Sequence, residues 1–197
     1  QMQQKKFDKA EGTLKGAANL AKESPVPLLH LARVYNSKEE YPKEKEQILK
    51  ALDLAGNFLD AWVGLYQHVK AHGGGVEAAE KAVEELANGE KHKKYAAPFI
   101  ALQGMYVNEE GEREKALKYA KAAVERDSND PMSLLCLSAI YGQMNRLDEV
   151  EKLLGDGGIV TTEKFGYFLK MVGPDKTMTS IRPAFEELVK SIELNEK

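Results

Sequence analysis

The chain has 197 residues, of which 43% are hydrophobic and 30% are charged, and this composition excludes wholesale disorder. Its formal net charge of -3 lacks the basic excess that phosphate neutralisation requires, so we expect no nucleic acid partner. No apolar run approaches the roughly 20 residues that cross a bilayer, so we expect a soluble segment without membrane insertion of its own, cytoplasmic or periplasmic. The single cysteine, Cys136, cannot form an internal disulfide and leaves the redox compartment open.

Taken in chain order, the sequence repeats a helical pattern with a period of 34 residues. Small residues followed four positions later by larger ones recur, as at Ala10 and Leu14 and again at Ala184 and Leu188. The windows are 1–24, a partial copy without its first helix, then 25–58, 59–92, 97–130, 131–164 and 165–197, with an insertion at 93–96. Apolar residues three and four apart within each full window predict two amphipathic helices. The sequence therefore predicts one all-α array over 1–197.

One irregularity is expected at 155–162, where Gly155-Asp156-Gly157-Gly158 stops a second helix early. Either a tight linker or a local break in the array explains it. We favour the linker because the 34-residue register resumes afterwards.

Three groups of residues match a known signature, an opening aromatic and leucine followed by small packing and turn positions. They are Trp62, Leu65 and Tyr66; Leu31, Ala32 and Tyr35; and Gly104, Gly111 and Ala116. The pattern resembles the tetratricopeptide repeat (TPR), a helix-turn-helix of this length. Departures occur at Glu44 and Glu85, where alanine is usual, and at Gln103, which replaces a leucine.

The resemblance implies a right-handed superhelical solenoid of antiparallel helix pairs, in which the first helices line a concave groove. It also implies that the groove binds another protein or peptide. Helical phase selects thirteen candidate partner-binding residues that packing does not require: Leu29, Arg33, Asn36, Asp60, Val63, Gln67, Lys70, Ala101, Met105, Asn108, Leu135, Ala139 and Gln143.

The chemistry of these positions favours one class of ligand. Chaperone-binding relatives hold a terminal carboxylate with a clamp of lysine, asparagine and arginine, and that set does not recur here, although Arg33, Asn36 and Lys70 suit one acidic group. The second half of the groove is small and apolar, which favours a hydrophobic or helical peptide with Met105 as an adaptable contact. The alternative is that the apolar residues serve ordinary packing between helices.

Other candidate chemistry in the sequence is weak. His68 and His72 are four apart on one helix face, a spacing that suits a metal, but the sequence offers no third ligand at a telling distance, so we predict neither metal nor cofactor. These histidines are instead interpreted as part of a solvated helix end. The run 91–94 is interpreted as a solvated basic loop, and Cys136 as a small buried hydrophobe. We recognise no catalytic constellation and expect no enzyme.

The sequence thus predicts a non-enzymatic protein-interaction scaffold. A partial first window and the lack of an initiator methionine suggest a fragment of a larger TPR protein, whose parent carries further repeats or a membrane anchor. The alternative function is a structural module for homo-oligomer assembly through its terminal repeat surface.

Overall fold

The computed structural model describes residues 2–109 and 111–154, and every regular element in these ranges is an α-helix. The predicted window 165–197 and the irregularity at 155–162 lie outside the described residues. The helices are α1 (Met2–Leu20), α2 (Val26–Ser37), α3 (Tyr41–Leu54), α4 (Leu59–His72), α5 (Gly75–Asn88), α6 (Ala97–Tyr106), α7 (Arg113–Arg126), α8 (Pro131–Gln143) and α9 (Leu147–Leu154).

Consecutive helices in the first compact unit, residues 1–137, pack as pairs. α2 packs on α3, α4 on α5, and α6 on α7, and each short connection makes the two helices antiparallel. The first helices of the pairs also touch, α2 with α4 and α4 with α6. The predicted all-α fold of successive helix pairs is confirmed within the described residues, and its arrangement is tetratricopeptide-like.

Proline and glycine mark several helix ends. Pro27, Pro42 and Pro98 each occupy the second position of a helix, where no intrahelical hydrogen bond is lost. Gly74 precedes α5 with a φ of 117°, a left-handed conformation that residues with a Cβ rarely adopt. The prolines thus favour the starts of α2, α3 and α6, and Gly74 the separation of α4 from α5.

The core of the first unit mixes small and large side chains. Trp62, Leu102 and Val83 have no exposed surface. Seven alanines are equally buried at helix crossings, each 0–1% exposed: Ala51, Ala61, Ala79, Ala87, Ala116, Ala120 and Ala123. Because an alanine has no side chain beyond Cβ, the helix axes approach closely there and the large residues fill the spaces between pairs.

The predicted insertion at 93–96 is held in place by Arg126, in the last turn of α7. Its Nη1 donates to the carbonyls of Ala87 at 3.2 Å and Lys93 at 2.5 Å, and its Nη2 donates to the Asn88 side chain. The guanidinium also lies over the Phe99 ring, 4.9 Å from its centroid. The end of α5, the loop and the start of α6 are therefore tied to one side chain.

The second compact unit, residues 138–197, is described up to residue 154. α8 crosses the boundary between the units, and Ile140 and Val150 are buried. The Arg146 guanidinium lies over the Tyr141 ring and forms an ion pair with Glu149 at 2.6 Å.

Candidate functional site

Side chains at equivalent positions of α2, α4 and α6 form what we call the first-helix face. Its members outside the core are Arg33 and Asn36 on α2, Asp60, Gln67 and Lys70 on α4, and Met105 and Asn108 on α6 or just after it; the exposed Gly104 of α6 adjoins them, although its repeat equivalents Ala32 and Tyr66 are buried. Met105 is half-buried and the others are exposed. The structure therefore places most of the predicted groove residues of the first unit where a ligand can reach them.

The remaining predicted residues of this face lie deeper. Leu29 and Ala101 are buried, 6% and 2% exposed, and Val63 is half-buried. The Leu29 Cδ1 lies 3.4 Å from the point where a Cβ of Gly64 would be, so leucine on α2 fills the space that glycine on α4 leaves. Leu29 and Ala101 thus pack between helices. This agrees with the alternative that the apolar residues serve ordinary packing rather than ligand binding.

The face is continuous from α4 to α6. The Gln67 Nε2 donates to the Met105 sulfur at 3.5 Å, which is a weak hydrogen bond between equivalent positions of consecutive first helices. Beside Met105, Gly104 is exposed, and no atom lies within 4 Å of the point where its Cβ would be. The last turn of α6 therefore offers bare helix surface with open space above it.

The basic side chains of the first-helix face are available to a ligand. Arg33 and Lys70 are exposed, and neither forms an ion pair within residues 2–109 and 111–154. Asn36, expected to help them hold an acidic group, instead donates its amide to the Glu44 Oε1 at 3.0 Å. Two cations remain for an acidic ligand, but the asparagine serves a contact within the protein.

The last three predicted residues lie on α8. Leu135 belongs to the first unit and is 52% exposed, whereas Ala139 and Gln143 belong to the second unit and are half-buried and exposed. The structure thus brings together the candidates on α2, α4 and α6, whereas Ala139 and Gln143 lie in the second unit.

A second cluster lies where α3 packs on α4. The His68 Nδ1 lies 2.9 Å from the Glu44 Oε2, and both side chains are buried, 8% and 7% exposed. The exposed His72 stacks on the Tyr41 ring with a centroid distance of 3.8 Å. One ligand atom from each of Glu44, His68 and His72 lies within 4.8 Å of the other two. Of the residues described, these three are the group of His, Cys, Asp and Glu side chains whose ligand atoms lie close enough together to share one ion.

Sequence reasoning missed Glu44 as the partner of the two histidines. The signal was its position, because Glu44 stands where the repeat usually has alanine and so faces the neighbouring helix. The interpretation of a solvated helix end fits the exposed His72 but not the buried His68.

Cys136 and Asp130 lie on α8 and just before it, apart from both clusters. Cys136 is half-buried, and burial raises the pKa of its thiol, which disfavours the thiolate needed for nucleophilic attack. The Asp130 carboxylate accepts hydrogen bonds from the backbone N–H of Ser133 at 2.7 Å and from its hydroxyl at 2.6 Å, so it caps the start of α8. In the part of the chain that the structure describes, none of the helices has the length and apolar character to cross a membrane.

Comparisons with known proteins give fold similarity alone. No protein-family profile matches the chain, and no curated protein matches it. It is similar to TTC0263, a thermophilic TPR protein of Thermus thermophilus, at 22% identity and a TM-score of 0.43, over 75% of this chain and 79% of that one. It is also similar to YrrB, described as a TPR protein with an unusual peptide-binding site, at 17% identity and a TM-score of 0.36, over 78% and 77% of the two chains. The tetratricopeptide-like fold itself is defined by the order and pairing of this chain's own helices.

Proposed function

We propose that the chain is a non-enzymatic interaction scaffold whose first-helix face binds a peptide segment of another protein. The observation that carries the proposal is the open surface at Gly104, the chain neighbour of Met105, whose sulfur accepts a hydrogen bond from Gln67 on α4. An apolar side chain of a ligand would fit over the glycine and against the flexible thioether.

The charges define the rest of the ligand. Arg33 and Lys70 suit an acidic group of the peptide, because neither is engaged in an ion pair within the described residues. The proposed partner segment therefore combines an apolar residue with an acidic one. Gln67 and Asn108 offer hydrogen bonds to its backbone.

The test starts from peptides selected on the full chain from a displayed library rich in acidic and apolar residues. Their dissociation constants are measured for the wild type and for Gly104→Arg, which fills the open space. We expect at least about a tenfold weakening, or about 1.4 kcal/mol. Arginine also has a higher helix propensity than glycine, so the variant should remain folded.

Gly16→Arg is the matched control. Gly16 is also exposed inside a helix, α1, with no atom within 4 Å of its Cβ position, so the same residue is added to a different face. A second pair compares Lys70→Glu with Lys121→Glu on α7, both of which reverse an exposed charge. If the selected peptides bind all of these variants equally well, the first-helix face is not the binding surface.

A second candidate function is self-assembly through α1, and one observation favours it. Within the described residues α1 packs on α2 alone, and Leu20 at its end is 91% exposed. An open depression of about 480 Å³ on the same helix is lined by Lys6, Lys9, Ala10, Thr13 and Leu14. Apolar surface of this kind is covered when two copies associate.

Sedimentation velocity over a range of protein concentrations tests this alternative. Assembly predicts a mass that rises with concentration in the wild type and stays monomeric when Ala10→Glu and Leu20→Lys are combined. A wild type that is monomeric at every concentration eliminates assembly through α1.

A further inference from the structure

Two helices of different pairs bring a carboxylate and two imidazoles together. Glu44 lies in α3, the second helix of one pair, whereas His68 and His72 lie one turn apart in α4, the first helix of the next pair. Side chains four residues apart share a helix face, and the two imidazole centroids are 5.4 Å apart. With Glu44 opposite them, one ligand atom of each residue lies within 4.8 Å of the others.

Neighbouring side chains fix the three groups in place. The Asn36 amide holds one oxygen of Glu44 at 3.0 Å and leaves the other facing His68. Tyr41 supports the His72 ring by stacking, with an angle of 23° between the ring planes. Metal ligands in proteins are held in the same way, by hydrogen bonds and packing outside the ligand set.

The charge of the cluster also suits a cation. Glu44 is 7% exposed, and in the described ranges it forms no ion pair with a lysine or an arginine. A carboxylate this deeply buried gains from a positive charge beside it. Because His72 is exposed, a cation can enter from solvent and keep a water in its remaining coordination position.

We propose that Glu44, His68 and His72 form a binding site for a divalent transition metal, with Zn²⁺ as the metal the donor set fits best. Two imidazole nitrogens and one carboxylate oxygen form an established zinc ligand set, with water as the fourth ligand. Hard cations such as Mg²⁺ and Ca²⁺ favour oxygen ligands throughout and fit this mixed set less well.

The position of the site gives it a structural role. A metal bound to all three residues links α3 of one helix pair to α4 of the next, so it stabilises the contact between two repeats. Asn36, which holds Glu44, also belongs to the first-helix face, but the metal site does not depend on peptide binding there.

Isothermal titration of the full chain, without a histidine tag, with zinc chloride tests the proposal. We expect one Zn²⁺ per chain, together with a rise in Tm that EDTA reverses. His72→Ala should weaken zinc binding at least tenfold. Because His72 is exposed, the substitution should leave the chain folded, so unfolding would not account for the loss of binding. Glu44→Gln should weaken binding too, and its circular dichroism spectrum reports whether the buried substitution is tolerated.

His30→Ala and Cys136→Ser are the controls. His30 is an exposed histidine on α2, and Cys136 is the only thiol of the chain. The two variants therefore test whether zinc binds to a histidine or thiol outside the proposed site. Both should bind zinc like the wild type. The proposal is overturned if zinc leaves Tm unchanged, or if His72→Ala binds zinc as tightly as His30→Ala does.

Discussion

The Trp62 indole N–H donates to the backbone carbonyl of Gly56 at 2.8 Å, and both residues are buried. The bond joins α4 to the turn that precedes it. A Cβ on Gly56 would lie 2.9 Å from the His92 Nδ1 and closer still to the Tyr95 ring. The residues around the insertion between α5 and α6 therefore leave room at this turn for glycine alone.

Gly56→Ala should consequently destabilise the fold by about 1–3 kcal/mol, the usual cost of overpacking a buried position. The measurement is urea denaturation followed by circular dichroism. Gly16→Ala in the open part of α1 is the control and should gain about 0.5–1 kcal/mol, because alanine favours a helix interior. Equal midpoints for Gly56→Ala and the wild type would contradict the close packing.

The buried His92 should make stability depend on pH. It is 3% exposed, and its Nδ1 has no hydrogen-bond partner in the described residues. Burial, and then the charge of Lys91, lower the pKa of His92 from its ordinary value of 6.5. As the pH falls, the His92 imidazole therefore takes up a proton in the unfolded chain before it does so in the folded chain. The contribution of the neutral His92 to stability is fully present above pH 6.5 and declines below it.

His92→Phe should remove this decline, because the substituted ring cannot titrate. His30→Ala on exposed α2 serves as the control and should keep it. Urea denaturation between about pH 5 and 8 can be followed by the fluorescence of Trp62, the only tryptophan, whose ring meets His92 edge to face at 5.3 Å. An unchanged pH profile in His92→Phe would assign the acid sensitivity to other groups.

Glu11 should control how firmly α1 docks on α2. Its carboxylate accepts hydrogen bonds from Lys15 at 2.7 Å, from Lys38 at 2.6 Å and from the Tyr35 hydroxyl at 3.1 Å. Hydrogen bonds from Lys15 and then Lys38 lower the pKa of Glu11 from 4.5 to about 2. Since the pKa is lower in the folded chain, the stabilisation is present above pH 4.5 and is lost as the pH falls toward 2.

Glu11→Gln should therefore lower stability at neutral pH and reduce the loss between pH 4.5 and 2. Hydrogen exchange of the α1 amides gives a local readout and should become faster in the variant. Glu46→Gln, which breaks an exposed pair with Lys50 within α3, should change neither measurement. If both variants behave alike, Glu11 has no special role in docking α1.

The Tyr119 hydroxyl links α7 to α5. It lies 3.0 Å from Oε1 of both Glu80 and Glu84, and burial followed by the hydrogen bond to Glu84 raises its pKa. Tyr119→Phe keeps the ring but removes the donor, so we expect a loss of about 1–2 kcal/mol in urea denaturation.

Tyr41→Phe makes the same change where the hydroxyl forms no hydrogen bond within the described ranges, and it should stay within about 0.5 kcal/mol of the wild type. Equal losses of stability in the two variants would show that the hydrogen bonds from Tyr119 to the carboxylates do not stabilise the fold.

The sequence predicts the helix pairs well because their signals are local. The apolar spacing of Trp62, Leu65 and Val69 can be recognised within a single helix. Gly74 interrupts the helical run through its own left-handed backbone conformation. Pairing then follows from the short connections, since neighbouring helices joined by a few residues pack antiparallel.

The site was harder to predict because its contacts join different helix pairs. The distance of Glu44 from His68 depends on how α3 seats against α4, and the helical phase of either element does not contain that information. The same holds for Leu29 and Ala101: phase puts them on the first-helix face, but the neighbouring helices decide whether they are covered. In the run 91–94 the lysines are exposed as expected, whereas His92 turns inward against Trp62.

The hold of Arg126 on the loop between α5 and α6 affects how a protease meets this protein. Lys91, Lys93 and Lys94 are exposed and have the side chains that trypsin recognises. Cleavage, however, requires the backbone to detach and extend into the enzyme, and the Lys93 carbonyl is held by the guanidinium. We therefore expect tryptic cleavage after Lys93 to be slowed by an arginine 33 residues away in sequence.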